Sequence, residues 1–258
     1  KGYKSNVLLQ AGLVKKSETD GTLYDTFRDR IMFPIVNRTG NIVGFTGRYL
    51  GAKKEVAKYL NTGETELFKK SEILFGINLS LRQITTSGTV ILVEGNPDVV
   101  RLHEIGVQNA VAPMGTALTK EQMDIIKRYA RTVILIGDTD AAGVKAVVKH
   151  GEDLINEGLN VRVMVIPDGK DPDEYIKKNG ADRFRALLSG AVSDIEYKLL
   201  MAASGLSLET DDGRLKYLSE AAKILATTDD IMTRDIYIGR LCEDVPSTSS
   251  SGLQPCML

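Results

Sequence analysis

The chain has 258 residues, 43% of them hydrophobic and 26% charged, with a net charge of −1. That composition suits a globular protein of one large domain or two small ones and excludes a disordered or collagen-like chain. Apolar runs stop far short of the roughly 20 residues a spanning helix needs, and Lys1-Gly2-Tyr3-Lys4 lacks the apolar core of a signal peptide, so a cytoplasmic protein without membrane contact is expected.

The first third reads as mixed, mostly extended structure. Residues 1–89 hold 14 Lys and Arg against 8 Asp and Glu, and the remainder holds 19 against 26. A basic segment followed by an acidic one suits a polyanion on one part and cations on the other. Ile31–Val36 and Ile42–Tyr49 flank the turn-rich Asn37-Arg38-Thr39-Gly40-Asn41, which predicts a hairpin, and Pro34 predicts an edge strand or a bulge. After Thr85-Thr86-Ser87-Gly88, short β-branched runs alternate with helical patterns, as in a parallel sheet. The predicted strands are Thr89–Val93, Asn109–Ala112, Thr132–Ile136 and Asn160–Ile166, with helices over Pro97–Ile105, Lys120–Tyr129, Ala141–Glu157 and Asp173–Asn179. From Ala181 only helical periodicity remains, broken at Ser204-Gly205 and Thr227–Asp230. The expected organisation is a basic α+β subdomain over 1–88, an α/β parallel-sheet domain over 89–190, a small helical subdomain over 191–246 and a disordered Ser-rich tail over 247–258.

In a parallel sheet, functional groups gather beyond the C-terminal strand ends. Here those positions are acidic: Glu94 and Asp98 after the first strand, Asp138 and Asp140 after the third, Asp171 and Asp173 after the fourth. Like charges converging in this way raise one another's pKa unless a cation balances them. Carboxylates without Cys or His select a hard ion, and Mg²⁺ commonly completes its shell with water and substrate phosphates. Asp98, Asp140 and Asp173 also suit helix caps or first turns, where a carboxylate serves the helix alone. Glu94, directly after Val90-Ile91-Leu92-Val93, caps no helix. His103, among apolar helix positions, reads as packing. Cys242 and Cys256, far from both histidines, give neither a disulfide framework nor a zinc spacing.

The basic residues Arg28, Arg30, Arg38, Arg48, Lys53, Lys54, Lys58, Lys69 and Lys70 are interleaved with Phe33, Phe45, Tyr49, Tyr59 and Phe68. Cations that track phosphates beside aromatics that stack on bases suit a single-stranded nucleic acid; a solvated face over an aromatic core fits the same pattern.

Taken in order, several of these segments resemble the bacterial DnaG-type primases with their TOPRIM catalytic fold. The segments are Phe27-Arg28-Asp29-Arg30-Ile31-Met32-Phe33-Pro34, Gly47-Arg48, Lys58-Tyr59-Leu60-Asn61, Glu64–Lys70, the Glu94 loop, Gly115-Thr116-Ala117-Leu118-Thr119, the Asp138 loop and Pro167–Glu174, and they span Thr26 to Gly190. The resemblance implies a TOPRIM-type sheet domain and synthesis of short RNA primers on single-stranded DNA from ribonucleoside triphosphates. It implies Glu94, Asp138 and Asp140 as catalytic metal ligands, with Asp98, Asp171 and Asp173 completing the acidic site. Arg30, Arg48, Lys58, Asn61 and Lys70 would guide template or nucleotide. Mg²⁺ is the implied cofactor, with Mn²⁺ able to substitute and no zinc in this fragment. The implied partners are the DNA template and a replicative helicase, the latter through a domain expected to be absent here, as is the family's zinc module; a monomeric core is expected. Where the family usually has Tyr-Met after Glu-Gly this chain has Asn96-Pro97, and Thr139 and Ala141 replace glycine and arginine in the Asp138 loop. Two other functions fit the same acids and cations: a TOPRIM-type metal-dependent nuclease and a non-catalytic single-strand-binding fragment.

Overall fold

The computed structural model describes residues 2–115, 117–167, 171–228 and 230–244. Thr116, Asp168, Gly169, Lys170, Asp229 and the predicted tail over 247–258 therefore lie outside the described residues. The chain divides into two compact units, residues 1–192 and residues from Ser193 onward.

The first unit begins with α1 (Ser5–Gln10) and an antiparallel hairpin of β1 (Val14–Lys16) and β2 (Leu23–Asp25). A three-stranded antiparallel sheet follows, made of β3 (Arg30–Val36), β4 (Ile42–Tyr49) and β5 (Tyr59–Asn61), with β4 central. Asn37 closes the β3–β4 turn: its side-chain oxygen accepts the backbone N–H groups of Thr39 and Asn41, each at 3.0 Å, and Gly40 takes φ +86°. Pro34 lies on the edge strand, and the register shifts one residue later, between Ile35 and Val36. Proline has no N–H to donate, so it is tolerated there.

A single-turn 3₁₀ helix, Lys70–Glu72, leads into β6 (Leu74–Phe75) and α2 (Ile77–Ser87). Then come β7 (Thr89–Val93), α3 (Asn96–Glu104), β8 (Ala110–Pro113), α4 (Lys120–Tyr129), β9 (Thr132–Ile136), α5 (Ala141–Asn156), β10 (Asn160–Val163), α6 (Pro172–Asn179), α7 (Ala181–Ser189) and β11 (Val192–Ser193). The large sheet runs β11-β10-β9-β7-β8-β6. Its four central strands are parallel and β6 is antiparallel to β8. Val90 to Val93 are all buried, as a central strand covered on both faces requires. Ile91, Val93 and Ile136 pack with Val99 and Leu102 of α3 and Ile176 of α6, and Ile35 and Phe68 reach the same core from the first third. Through β6, α2 and those two side chains the basic segment is part of this unit's sheet and core.

The second unit consists of α8 (Asp194–Ala203), α9 (Asp211–Ala226) and α10 (Ile231–Asp244). Ser193 and Thr210 cap α8 and α9 by accepting the N–H groups of Glu196 and Gly213. Leu199, Tyr217, Ala221, Leu225 and Tyr237 form its core. Among the described residues no helix is long and apolar enough to cross a membrane.

Candidate active site

Strand β7 ends at Val93, so Glu94 leaves the sheet beside the end of its parallel neighbour β9. There Glu94 Oε1 accepts the backbone N–H of Asp138 at 2.8 Å. A strand-end carboxylate thus fixes the next acidic loop instead of capping a helix. Asp138 opens that loop and Asp140 closes it as N-cap of α5, its Oδ1 accepting the N–H groups of Ala142 and Gly143 at 2.9 and 2.8 Å. Asp98 stands in the first turn of α3, Asp171 caps α6 by accepting the Glu174 N–H at 2.8 Å, and Asp173 lies in the first turn of α6. The capping roles foreseen for several of these acids are real, and the same geometry turns the acids toward one cleft of about 680 Å³.

All six acids line that cleft, and Arg48, Lys58 and Asn61 line it from the three-stranded sheet. Arg30 and Lys70 do not. Arg30 donates to the Gly47 carbonyl at 3.0 Å and lies over the Tyr49 ring. Lys70 gives its backbone N–H to Glu64 Oε1 at 3.2 Å, and its carbonyl accepts from Gln122 at 3.0 Å. Asp173 is already engaged by two cations, with Lys177 Nζ at 2.5 Å and Arg101 Nε at 3.4 Å.

The charge balance shows in the protonation equilibria. Burial, with Asp171, Asp138 and Glu94 adding repulsion, pushes the Asp98 carboxyl up to about 7. Burial and then Glu94, Asp171 and Asp140 push Asp138 up to about 6. Burial is the larger cause in both, and the neighbouring carboxylates add to it, so the charged forms are disfavoured in the absence of a cation. Among the described residues no three His, Cys, Asp or Glu side chains stand close enough together to hold a metal ion as they are, so the acids line a cleft and not a formed ligand set. The donors are all carboxylate oxygens, which fits a hard cation that keeps water in its shell.

Several contributors carry no sequence signal of their own. Gly143 lies so close to the Asp138 loop that a Cβ there would meet the Asp138 carbonyl at 2.3 Å and Glu94 Oε1 at 2.9 Å. Its place five residues after Asp138, at the start of a helix, is the only hint of that need. His150 on α5 accepts the Leu118 N–H at 3.3 Å and tethers the glycine loop along the cleft, with burial pushing its pKa down. His103, as read from its apolar setting, is a packing residue bonded to the Ala110 carbonyl at 3.0 Å.

Comparison with known proteins places these features. Three family models match in succession: "DNA primase catalytic core, N-terminal domain" over residues 1–81, "Toprim-like" over 91–176 and "DnaB-helicase binding domain of primase" over 195–245. The third match overturns the expectation that the helicase-binding region is absent. Its segment reads as plain amphipathic helices, with no side-chain motif that would mark it in the sequence. A DNA primase of Clostridium acetobutylicum is 38% identical over 243 residues, covering 94% of this chain and 40% of the relative. The chain thus spans about two fifths of the length of the curated relatives it matches. A DnaG primase catalytic domain bound to single-stranded DNA aligns with TM-score 0.72 and 30% identity, over 93% of this chain and 75% of the other. The RNA polymerase domain of Mycobacterium tuberculosis primase DnaG, in complex with double-stranded DNA, aligns with TM-score 0.83 and 32% identity, over 95% of this chain and 78% of that one. Sequence likeness at that level across most of a primase polymerase domain, with the family segments in order, means that the chain belongs to the DnaG-type bacterial DNA primases.

Proposed function

We propose that this chain is the polymerase part of a primase that joins ribonucleoside triphosphates into a short RNA on single-stranded DNA. The observation that carries this reading is one cleft with Glu94, Asp98, Asp138, Asp140 and Asp171 on one side and Arg48, Lys58 and Asn61 on the other. The relatives' names, and the primase domain bound to single-stranded DNA, support it.

Glu94 orients the Asp138 loop through the 2.8 Å bond to its N–H, and Asp140 holds that loop to the start of α5. A Toprim-like domain goes with divalent metal use, and we take the ion to be Mg²⁺, with Mn²⁺ able to substitute and no zinc. Held by Glu94, Asp138 and Asp140, with Asp98 and Asp171 beside them, it would supply positive charge to lower the pKa of the attacking 3′-hydroxyl and neutralise the leaving pyrophosphate. Asp173, neutralised by Arg101 and Lys177, serves to position α6. Arg48 and Lys58 attract nucleotide and template phosphates across the cleft. Arg30 and Lys70 would meet the template strand beyond it. The helical unit α8–α10 would engage a DnaB-type replicative helicase, as the match over 195–245 supports.

The test follows labelled ribonucleotides on a single-stranded DNA template with Mg²⁺ or Mn²⁺, comparing the wild type with Glu94→Gln. Metal-dependent oligomers that disappear in the variant are expected. Shortened template strands would replace this reading with a nuclease, and intact template binding without product would reduce it to a binding fragment.

A further inference from the structure

Helices α3 and α6 each bring an acid to the cleft, Asp98 in the first turn of α3 and Asp171 at the N-cap of α6. The two helices are in contact, and Val99, Leu102 and Ile176 join them in one apolar core. Their starts carry like charges, however. After burial, Asp171 is the largest cause of the raised Asp98 pKa, so the two carboxylates repel one another when ionised and push the helix starts apart.

A fastening that opposes this lies one turn along α3. Arg101 follows Asp98 by three residues and so stands on the same face of the helix. Its Nε lies 3.4 Å from Asp173 Oδ1 in the first turn of α6, and its Nη1 lies 2.6 Å from Glu104 Oε2. Lys177 Nζ holds the other Asp173 oxygen at 2.5 Å. Glu104, Arg101, Asp173 and Lys177 thus form a row of alternating charge that crosses once between the helices. An isolated surface ion pair contributes little, but a network around a guanidinium whose side chain is only 23% exposed is the exception. The four charges cancel, so the row acts on the cleft through position and not through net charge.

We infer that Arg101 is a positioning residue: its ion pair with Asp173 holds the start of α6 to α3 and so sets how far apart Asp98 and Asp171 stand when the cleft takes up a divalent cation. Asp173 is then the anchor of this strut and not a ligand. The inference rests on the metal-dependent primase reading above. It also has a sign that simple electrostatics lacks. Removing a positive charge beside a group of acids should tighten a cation through the field alone, whereas losing the strut should weaken it.

The test is titration of the whole chain with Mn²⁺, read by electron paramagnetic resonance, for the wild type, Arg101→Met, Arg101→Lys, Asp173→Asn and the double variant Arg101→Met with Asp173→Asn. Affinities are read well below the melting temperature, so a modest loss of global stability does not move them. Arg101→Met keeps the apolar stem that packs on the helix and should weaken Mn²⁺ at least fivefold. Arg101→Lys keeps the charge without the planar fork and should recover part of that loss. The double variant should bind no more weakly than the weaker single one, as partners in one interaction do. Mn²⁺ bound as tightly in Arg101→Met as in the wild type, or more tightly, overturns the strut. Losses from Arg101→Met and Asp173→Asn that add in full also overturn it, by making Asp173 a ligand in its own right. Either result leaves the wild type's Mn²⁺ binding, and with it the primase reading, in place. A wild type that binds no Mn²⁺ instead removes the cation from that reading and the strut with it.

Discussion

Carboxylates crowded into a partly buried cleft hold their protons longer than free ones, and that makes the metal-free site pH-sensitive in a defined direction. Asp98 titrates near 7 in the folded chain against 3.8 as a free group, and Asp138 near 6. Between about pH 4 and 7 these two acids bind more protons in the folded state than in the unfolded one, so their contribution to stability falls as pH rises through this window and levels off above it, while half-buried His103 and His150, whose pKa values burial pushes down, contribute in the opposite direction. A divalent ion favours the ionised acids and opposes that fall. Thermal melts in EDTA from pH 5 to 8 should show Asp98→Asn gaining stability relative to the wild type as pH rises, with the gain smaller in Mg²⁺; a difference between the two proteins that does not change with pH would contradict the raised Asp98 pKa. Gly143 sets a second condition at this scale. Alanine favours helix interiors by about 1 kcal/mol over glycine, but its Cβ would meet the Asp138 carbonyl at 2.3 Å, and overpacking of that kind costs about 1–3 kcal/mol. Gly143→Ala should lower both stability and Mn²⁺ affinity, the latter at least tenfold by electron paramagnetic resonance; unchanged affinity would show that the loop can shift freely.

At the level of elements, helix α4 shows how local sequence anchors the cleft's surroundings. Thr119 and Gln122 form a reciprocal capping box, with the Gln122 N–H to Thr119 Oγ1 at 3.2 Å and the Thr119 N–H to Gln122 Oε1 at 3.1 Å. Thr119 Oγ1 also donates to the Ser71 carbonyl at 2.5 Å, and Gln122 Nε2 donates to the Lys70 and Ile73 carbonyls. One cap therefore ties the 3₁₀ turn of the basic segment to the parallel-sheet layer. Thr119→Ala should cost about 1 kcal/mol or more in urea unfolding, and a loss below a few tenths would mean the tie carries no load. Strands β7 and β9 were readable at their observed bounds, and β8 and β10 to within a few residues. Other elements were hidden for physical reasons. Strands β6 and β11 have two residues each, too few for a period. Helix α2 runs through the Thr85-Thr86-Ser87 stretch that reads as a break, because Thr86 and Ser87 bond back to the carbonyls of Arg82 and Gln83, and it stops at Gly88 with φ +67°. In the site, the acids were legible because each follows a strand end. The exclusion of Arg30 from the cleft was not, since it depends on the Gly47 carbonyl that its guanidinium takes.

Across the whole molecule, the two compact units divide the work of stability. The first unit's core is shared by the parallel sheet and the basic segment, so the metal proposed at the strand ends would be coupled to the folding of residues 1–192. The second unit, from Ser193, has its own core around Ala221 and Leu225, and the match to a helicase-binding domain covers 195–245. A ligand stabilises the cooperative unit that binds it in proportion to its occupancy, and a core truncation destabilises the unit that contains it. Leu225 is 3% exposed, and Leu225→Ala should cost the helical unit about 2–5 kcal/mol. In calorimetry of the intact chain, that variant should separate an early transition, insensitive to Mg²⁺, from a later one that Mg²⁺ still raises as in the wild type. Hydrogen exchange should assign the early step to α8–α10. A single transition, lowered as a whole and with its Mg²⁺ response diminished, would show instead that both units fold as one and that the helical segment supports the acidic cleft directly.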